Sequence, residues 1–182
     1  MKNILILIIL IATISCKKYN LSDNENEILN VYTVGDTLNF KSLKTGKTET
    51  YIIMDKTNKL ELEGGFSYSK YRFASISYRN IKDYSIYVDQ GYSYPEMISI
   101  YNGKRSNSLW LKWGMWEEYE NNFGTLNSKD TIYFLNKKII DYYTLNSKDE
   151  RDSTIKIIWQ KSNGIVKYDF RNGDSYVRTN IP

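Results

Sequence analysis

Near the C-terminus apolar and polar residues alternate with a period of two: Ile155, Ile157 and Trp159 with Lys156 and Gln160, then Val166, Tyr168 and Phe170 with Lys167, Asp169 and Arg171. A helix would scatter these side chains round its axis, whereas a strand puts every second one on the same face. Asn163-Gly164 separates the two runs, and Asn172-Gly173 leads into a third at residues 175–179. Both residues of an Asn-Gly pair tolerate positive φ, so the pattern predicts a three-stranded antiparallel meander closed by type I′ turns, with one apolar face.

The first half of the chain follows the same grammar. Leu38 and Phe40 alternate with Asn39 and Lys41, a turn follows at residues 44–47, and the next run, 50–54, is apolar on both faces, as befits the centre of a sheet. Further strands are predicted at 66–78, 84–88, 97–101, 108–112, 131–135 and 138–144. About ten strands in a chain with 2 Pro and 17 Tyr, and no helices to make βαβ crossovers, give a mainly β domain. The expected architecture is an antiparallel meander forming a sandwich or an open or closed barrel, with at most one short helix. The place for that helix is 110–123, where Trp110, Trp113, Trp116 and Tyr119 recur every third residue, although Leu109, Leu111 and Trp113 also satisfy a strand. The hexapeptide Thr-Leu-Asn-Ser-Lys-Asp occurs at 125–130 and again at 144–149, and reads as two polar turns ending strands.

A different signal occupies the N-terminus. Lys2 precedes an aliphatic run from Ile4 to Ala12, followed by Thr13, Ile14, Ser15 and Cys16. A positive start, a short apolar stretch and small residues before a cut make residues 1–15 a secretory signal peptide, since a bilayer span takes about 20 residues. The 1 Cys of the chain stands at the cut, and a lone thiol in an exported protein has no intramolecular disulfide partner. Thr13-Ile14-Ser15-Cys16 resembles a bacterial lipobox, with Thr13 where Leu is favoured. The resemblance implies that Cys16 is diacylated on sulfur, becomes residue one, and is acylated again on nitrogen. More than one fatty chain makes such an anchor stable.

Behind Cys16 the expectation is a lipidated N-terminus and flexible tether over 16–30, then a single domain over 31–182. Asp23, Glu25 and Glu27 make the tether polar, while Lys17 and Lys18 would favour anionic headgroups. The acids at 22–27 resemble, in a displaced form, the surface-export signal of some bacterial lipoproteins. They do not make a calcium loop, which needs glycine at its sixth position and glutamate at its twelfth, where Val34 stands.

With 0 His the chain has no Ser-His-Asp or Cys-His machinery and no His-ligated zinc or haem. A net charge of +4 without a basic stripe argues against nucleic acid as a partner. Trp110, Trp113, Trp116 and Tyr119 could line one groove for sugar rings or an apolar ligand, oriented by Glu117, Glu118 and Glu120, or divide between core and rim. Glu117 with Glu120 or Glu96 is the conceivable pair for glycoside hydrolysis. The triplets beginning at Asp36, Asp130 and Asp152 resemble the O-glycosylation acceptor pattern of Bacteroidetes envelope proteins.

Val34 to Ser42 and Ile165 to Tyr168, with the Asn-Gly pairs at 163 and 172, resemble small lipoproteins of flavobacteria and related Bacteroidetes. That resemblance implies no activity and no catalytic residues. The expectation is a lipid-anchored, non-enzymatic envelope lipoprotein of the outer membrane, facing the periplasm, without cofactor or metal, that binds or scaffolds an envelope protein or apolar ligand. One alternative is a calycin-like or open-barrel carrier with an apolar hollow of a few hundred cubic ångströms. The other is a carboxylate-pair hydrolase.

Overall fold

The computed structural model describes residues 19–62, 70–83, 94–103, 107–113, 118–120, 131–134, 137–147 and 153–181. A helix, α1 (Asp23–Asn30), precedes β1 (Thr37–Ser42), β2 (Thr48–Leu62), β3 (Lys70–Asn80), a 3₁₀ turn (Ile81–Asp83), β4 (Glu96–Asn102), β5 (Asn107–Lys112) and β6 (Glu118–Glu120). After these come β7 (Ile132–Phe134), β8 (Lys137–Ile139), β9 (Tyr142–Asn146), β10 (Thr154–Gln160), β11 (Gly164–Phe170) and β12 (Ser175–Arg178). Ten of these strands form one antiparallel sheet in the order β6-β5-β4-β3-β2-β1-β12-β11-β10-β9, while β7 and β8 pair separately. The mainly β, antiparallel architecture expected from the alternation is what the chain adopts.

Aromatic contacts reveal the shape of the sheet. Trp113, just beyond β5, lies 5.3 Å from Tyr168 of β11 and 5.6 Å from Phe40 of β1. In a flat sheet β5 and β11 would be about 29 Å apart, given their places in the order and about 4.8 Å between neighbours. The sheet therefore curls into a half-barrel with its apolar face inward. Leu38, Phe40, Ile76, Ile98, Leu111 and Trp159 are all at 0% exposure on that side.

The helix α1 fills the hollow. Ser22 Oγ accepts the Glu25 N–H at 3.3 Å and the Ser22 N–H donates to Glu25 Oε2 at 2.7 Å, a reciprocal cap that starts the helix. Ile28, Leu29 and Tyr32 then enter the core, and the Tyr32 ring meets Trp159 edge-on at 5.6 Å. Lys56 Nζ donates to Asn30 Oδ1 at 3.0 Å from one wall, and Lys161 pairs with Glu27 at 2.6 Å from the other. The flexible tether expected over 16–30 is thus corrected: from Tyr19 onward the chain is part of the fold, because a curled sheet leaves apolar surface that α1 covers.

Three further expectations need revision. The described part of 110–123 is strand rather than helix, with Trp110 opposite Ser99 and Glu120. Residues 138–144 are not one strand, because Asp141 at φ 52 breaks them into β8 and β9, which belong to different sheets. Nor are the Asn-Gly turns type I′: Gly164 and Gly173 carry positive φ, 73 and 81, but neither Asn163 nor Asn172 does. Residues 161–163 and 171–174 make longer connections, the second closed by the Gly173 N–H donating to Phe170 O at 3.0 Å. The strand expected at 84–88 lies outside the described residues. As predicted for a run apolar on both faces, β2 lies inside the sheet, between β1 and β3.

The outer face has its own cover at one end, where Ile132 and Ile139 of the β7–β8 hairpin pack on Tyr142, Ile158, Val166 and Ile181. In the sheet the two meanders, β1–β6 and β9–β12, are joined by the pairing of β1 with β12. Beside that seam the buried Asp174 carboxylate accepts the Ser42 hydroxyl at 2.8 Å and the backbone N–H groups of Ser175 at 2.8 Å and Lys44 at 3.3 Å. Burial works to raise its pKa, but these hydrogen bonds and the Lys44 charge outweigh it, holding the carboxyl below its ordinary range.

Two outcomes follow. A folded pKa below the unfolded one contributes stability that is fully present above the ordinary value of 3.8 and is lost as pH falls through the folded value. Urea midpoints of the wild type and Asp174→Asn should therefore differ at pH 7 and converge on acidification below pH 3.8; a gap constant down to pH 2 contradicts this. At Gly164 a Cβ would lie 2.0 Å from Tyr32 Oη. Gly164→Ala should cost about 3 kcal/mol or more by chemical unfolding, against about 1 kcal/mol for Gly173→Ala, where no atom lies within 4 Å.

Candidate functional site

Trp110 and Trp113 are three residues apart, and in a strand an odd separation puts side chains on opposite faces. Trp113 is 2% exposed inside the half-barrel, stacked on Tyr78 at 4.9 Å and 6°. Trp110 is half-buried on the outer face. The single groove expected from Trp110, Trp113, Trp116 and Tyr119 is therefore not built. Trp116 lies outside the described residues, and Tyr119 stands opposite Leu111 in the β5–β6 register.

Around Trp113 an aromatic hub occupies the inner face. Phe40 meets Tyr168 at 5.0 Å, Tyr51 lies 4.9 Å from Trp113, and Tyr168 stacks on Tyr176 at 5.1 Å and 4°. Their hydroxyls need an acceptor, and Glu49 supplies it: Tyr51 Oη donates at 2.8 Å and Tyr168 Oη at 3.3 Å. Burial first, and then the Glu49 charge, push the Tyr51 hydroxyl far above its ordinary range. Burial, together with Tyr51 and Glu49, does the same to Tyr168. A tyrosine that acts as a base needs its pKa lowered. These two are held as neutral donors, so the hub is built for packing.

The outer face of β4 and β5 presents a different set. Tyr101 and Ser108 stand opposite one another, as do Ser99 and Trp110. With Lys112 they line an open hollow of about 390 Å³. Lys112 Nζ lies 5.7 Å from the centre of the Trp110 ring, and Tyr71 stacks on Tyr101 at 4.6 Å. Rings, hydroxyls and one ammonium group can hold a flat, hydroxylated ligand or a peptide edge by stacking and hydrogen bonding. Tyr71, Ser99 and Tyr101 were not legible as partners of Trp110, because only strand register brings them to its face.

Of the acids considered for hydrolysis, Glu117 lies outside the described residues, Glu96 accepts the Ser99 hydroxyl, and Glu120 stands opposite Trp110 in β6. Among the described residues no group of three or more His, Cys, Asp or Glu could hold a metal ion, and no helix is long and apolar enough to cross a membrane. The signal peptide and Cys16 lie outside the described residues. Thr37, Thr131 and Ser153 of the three acceptor-like triplets are exposed. A second open hollow, about 600 Å³, lies between α1 and β10 against Glu27, Asn30, Gln160 and Lys161. There the Glu27 carboxylate raises the Lys161 ammonium above its ordinary value. No protein-family model, curated protein or solved structure matches the chain.

The two tryptophans should separate in experiment. Trp113→Ala removes the centre of the hub and should cost about 3–5 kcal/mol in chemical unfolding, whereas Trp110→Ala should stay within about 1 kcal/mol of wild type. Equal costs would contradict the inward and outward assignment.

Proposed function

We propose that the chain is a lipid-anchored lipoprotein of the cell envelope, with residues 1–15 removed, Cys16 acylated, and the body held at the outer membrane facing the periplasm. The half-barrel serves as a non-enzymatic binding or scaffolding module, and its presenting surface is the outer face around Tyr101, Trp110 and Lys112. One observation carries the choice of module. The inner face that an apolar carrier would keep hollow is occupied by the chain's own α1, Tyr32 and aromatic hub, with Tyr32 at 1% and Trp159 at 0% exposure. A filled core gives a rigid body, and recognition then falls to its outside. The partner is an envelope protein or a flat, partly apolar ligand that stacks on Trp110.

The test is the intact mass of protein purified in detergent from its own membranes. The expected species begins at Cys16 and carries a diacylglyceryl group and a third acyl chain, while Cys16→Ser washes off membranes without detergent. A chain that retains Met1 and an unmodified thiol overturns the proposal. The same spectrum reports any sugar on the exposed triplets and any ligand that Trp110→Ala fails to retain.

A further inference from the structure

We infer that the end of the half-barrel formed by the β2–β3 hairpin rests on the lipid headgroups of the membrane that holds Cys16, an inference that depends on the acylation proposed above. The fold grips the chain immediately behind the anchor. Arg72 Nε donates to the Tyr19 carbonyl at 3.2 Å, Asn102 Nδ2 donates to the Asn20 carbonyl at 3.0 Å, Leu21 packs against the core, and Ser22 caps α1. Only Lys17 and Lys18 separate Tyr19 from Cys16. Three peptide steps span at most about 11 Å between Cα atoms. The anchor therefore cannot lie far from the end of β3 and β4 that holds Tyr19 and Asn20.

That end is also where the sheet reaches furthest. The last partner of β1 in β2 is Ile52, opposite Thr37, whereas β2 runs on beside β3 to the pair Leu62 and Lys70. Leu60 on this extension is 45% exposed, and exposed Lys70 of β3, two residues from Arg72, the partner of Leu60, lies on the same face. An exposed leucine beside a lysine suits the headgroup zone, where the apolar side chain meets acyl carbons and the Lys70 ammonium group meets a lipid phosphate. Of the acids among the described residues here, Glu61 is paired with Lys59 and accepts the Tyr71 hydroxyl, and Glu25 closes the Ser22 cap. The opposite end, with the turn at residues 43–47, lies about 45 Å away along the 15 residues of β2. It would face the periplasm, and the Trp110 face would stand upright from the bilayer.

The experiment uses the acylated full-length protein in vesicles of phosphatidylcholine and phosphatidylglycerol containing nitroxide-headgroup lipid. A fluorophore is placed on Leu60→Cys or, at the far end, on Thr45→Cys, both at exposed positions, with acylated Cys16 unreactive. The expected result is several-fold stronger quenching at 60 than at 45, reduced by half or more when Lys70→Glu is added or when phosphatidylglycerol is left out. Equal quenching at the two sites, or stronger quenching at 45, in a preparation whose mass carries the acyl chains overturns this inference and leaves the acylation standing. A mass without acyl chains overturns both.

Discussion

The pairing of β1 with β12 is the constraint on which the rest of the molecule depends. It joins the first strand to the last, with Phe40 opposite Arg178, Lys41 opposite Val177 and Ser42 opposite Tyr176. The Asn180 side chain extends the join beyond the last pair, accepting the Asn39 N–H at 3.0 Å. Without this seam each meander would end in an open edge and half of a core. With it the right-handed twist of ten strands accumulates in one direction, and the sheet closes on itself far enough to need filling. Long-range closure of this kind is slow to form, since its loop entropy precedes any return from packing.

Filling is divided between two solutions. At the end nearer Glu49 rings meet from several strands, and edge-on and tilted geometries let Phe40, Tyr51, Trp113 and Tyr168 pack together. The cost is a set of hydroxyls that must find acceptors, which the Glu49 carboxylate offsets. At the other end α1 with Tyr32 lies between the walls, held by Lys56 on one side and Lys161 on the other. The Ile165 N–H donates to Tyr32 Oη at 2.7 Å, an arrangement possible because the neighbouring Gly164 has no side chain to obstruct the ring.

What the sequence made legible was period and punctuation. Alternation placed β10, β11 and β12 almost residue by residue, and the two Asn-Gly pairs marked their turns, although the positive φ fell on glycine alone. The helix was hidden because its polar residues outnumber its apolar ones, and a segment with few apolar residues reads as solvated chain. Its signal was present in Ser22 and Glu25, the spacing of a capping box, followed by Ile28, Leu29 and Tyr32. The tryptophans misled for a different reason. A spacing of three looks like one helical face, yet in β5 it sends Trp110 outward and Trp113 inward, and only the pairing of Trp110 with Ser99 distinguishes the two. Pairing between strands is a property of the whole sheet and cannot be read along a single one.

An eight-residue helix is too short to persist alone in water, so α1 owes its order to the hollow it enters. That hollow exists only when the β1–β12 seam has brought the two meanders together, since Lys56 on one side and Lys161 on the other both hold the helix. Placement of residues 19–30 is therefore the last consequence of a closure made by the opposite end of the chain. Before closure those residues are an extended leash that lets the body explore a wide volume around residue 16. After it, only Lys17 and Lys18 separate residue 16 from the held Tyr19, which keeps that residue near the end of β3 and β4. The step that completes the core is thus also the step that brings the start of the described chain against β3 and β4.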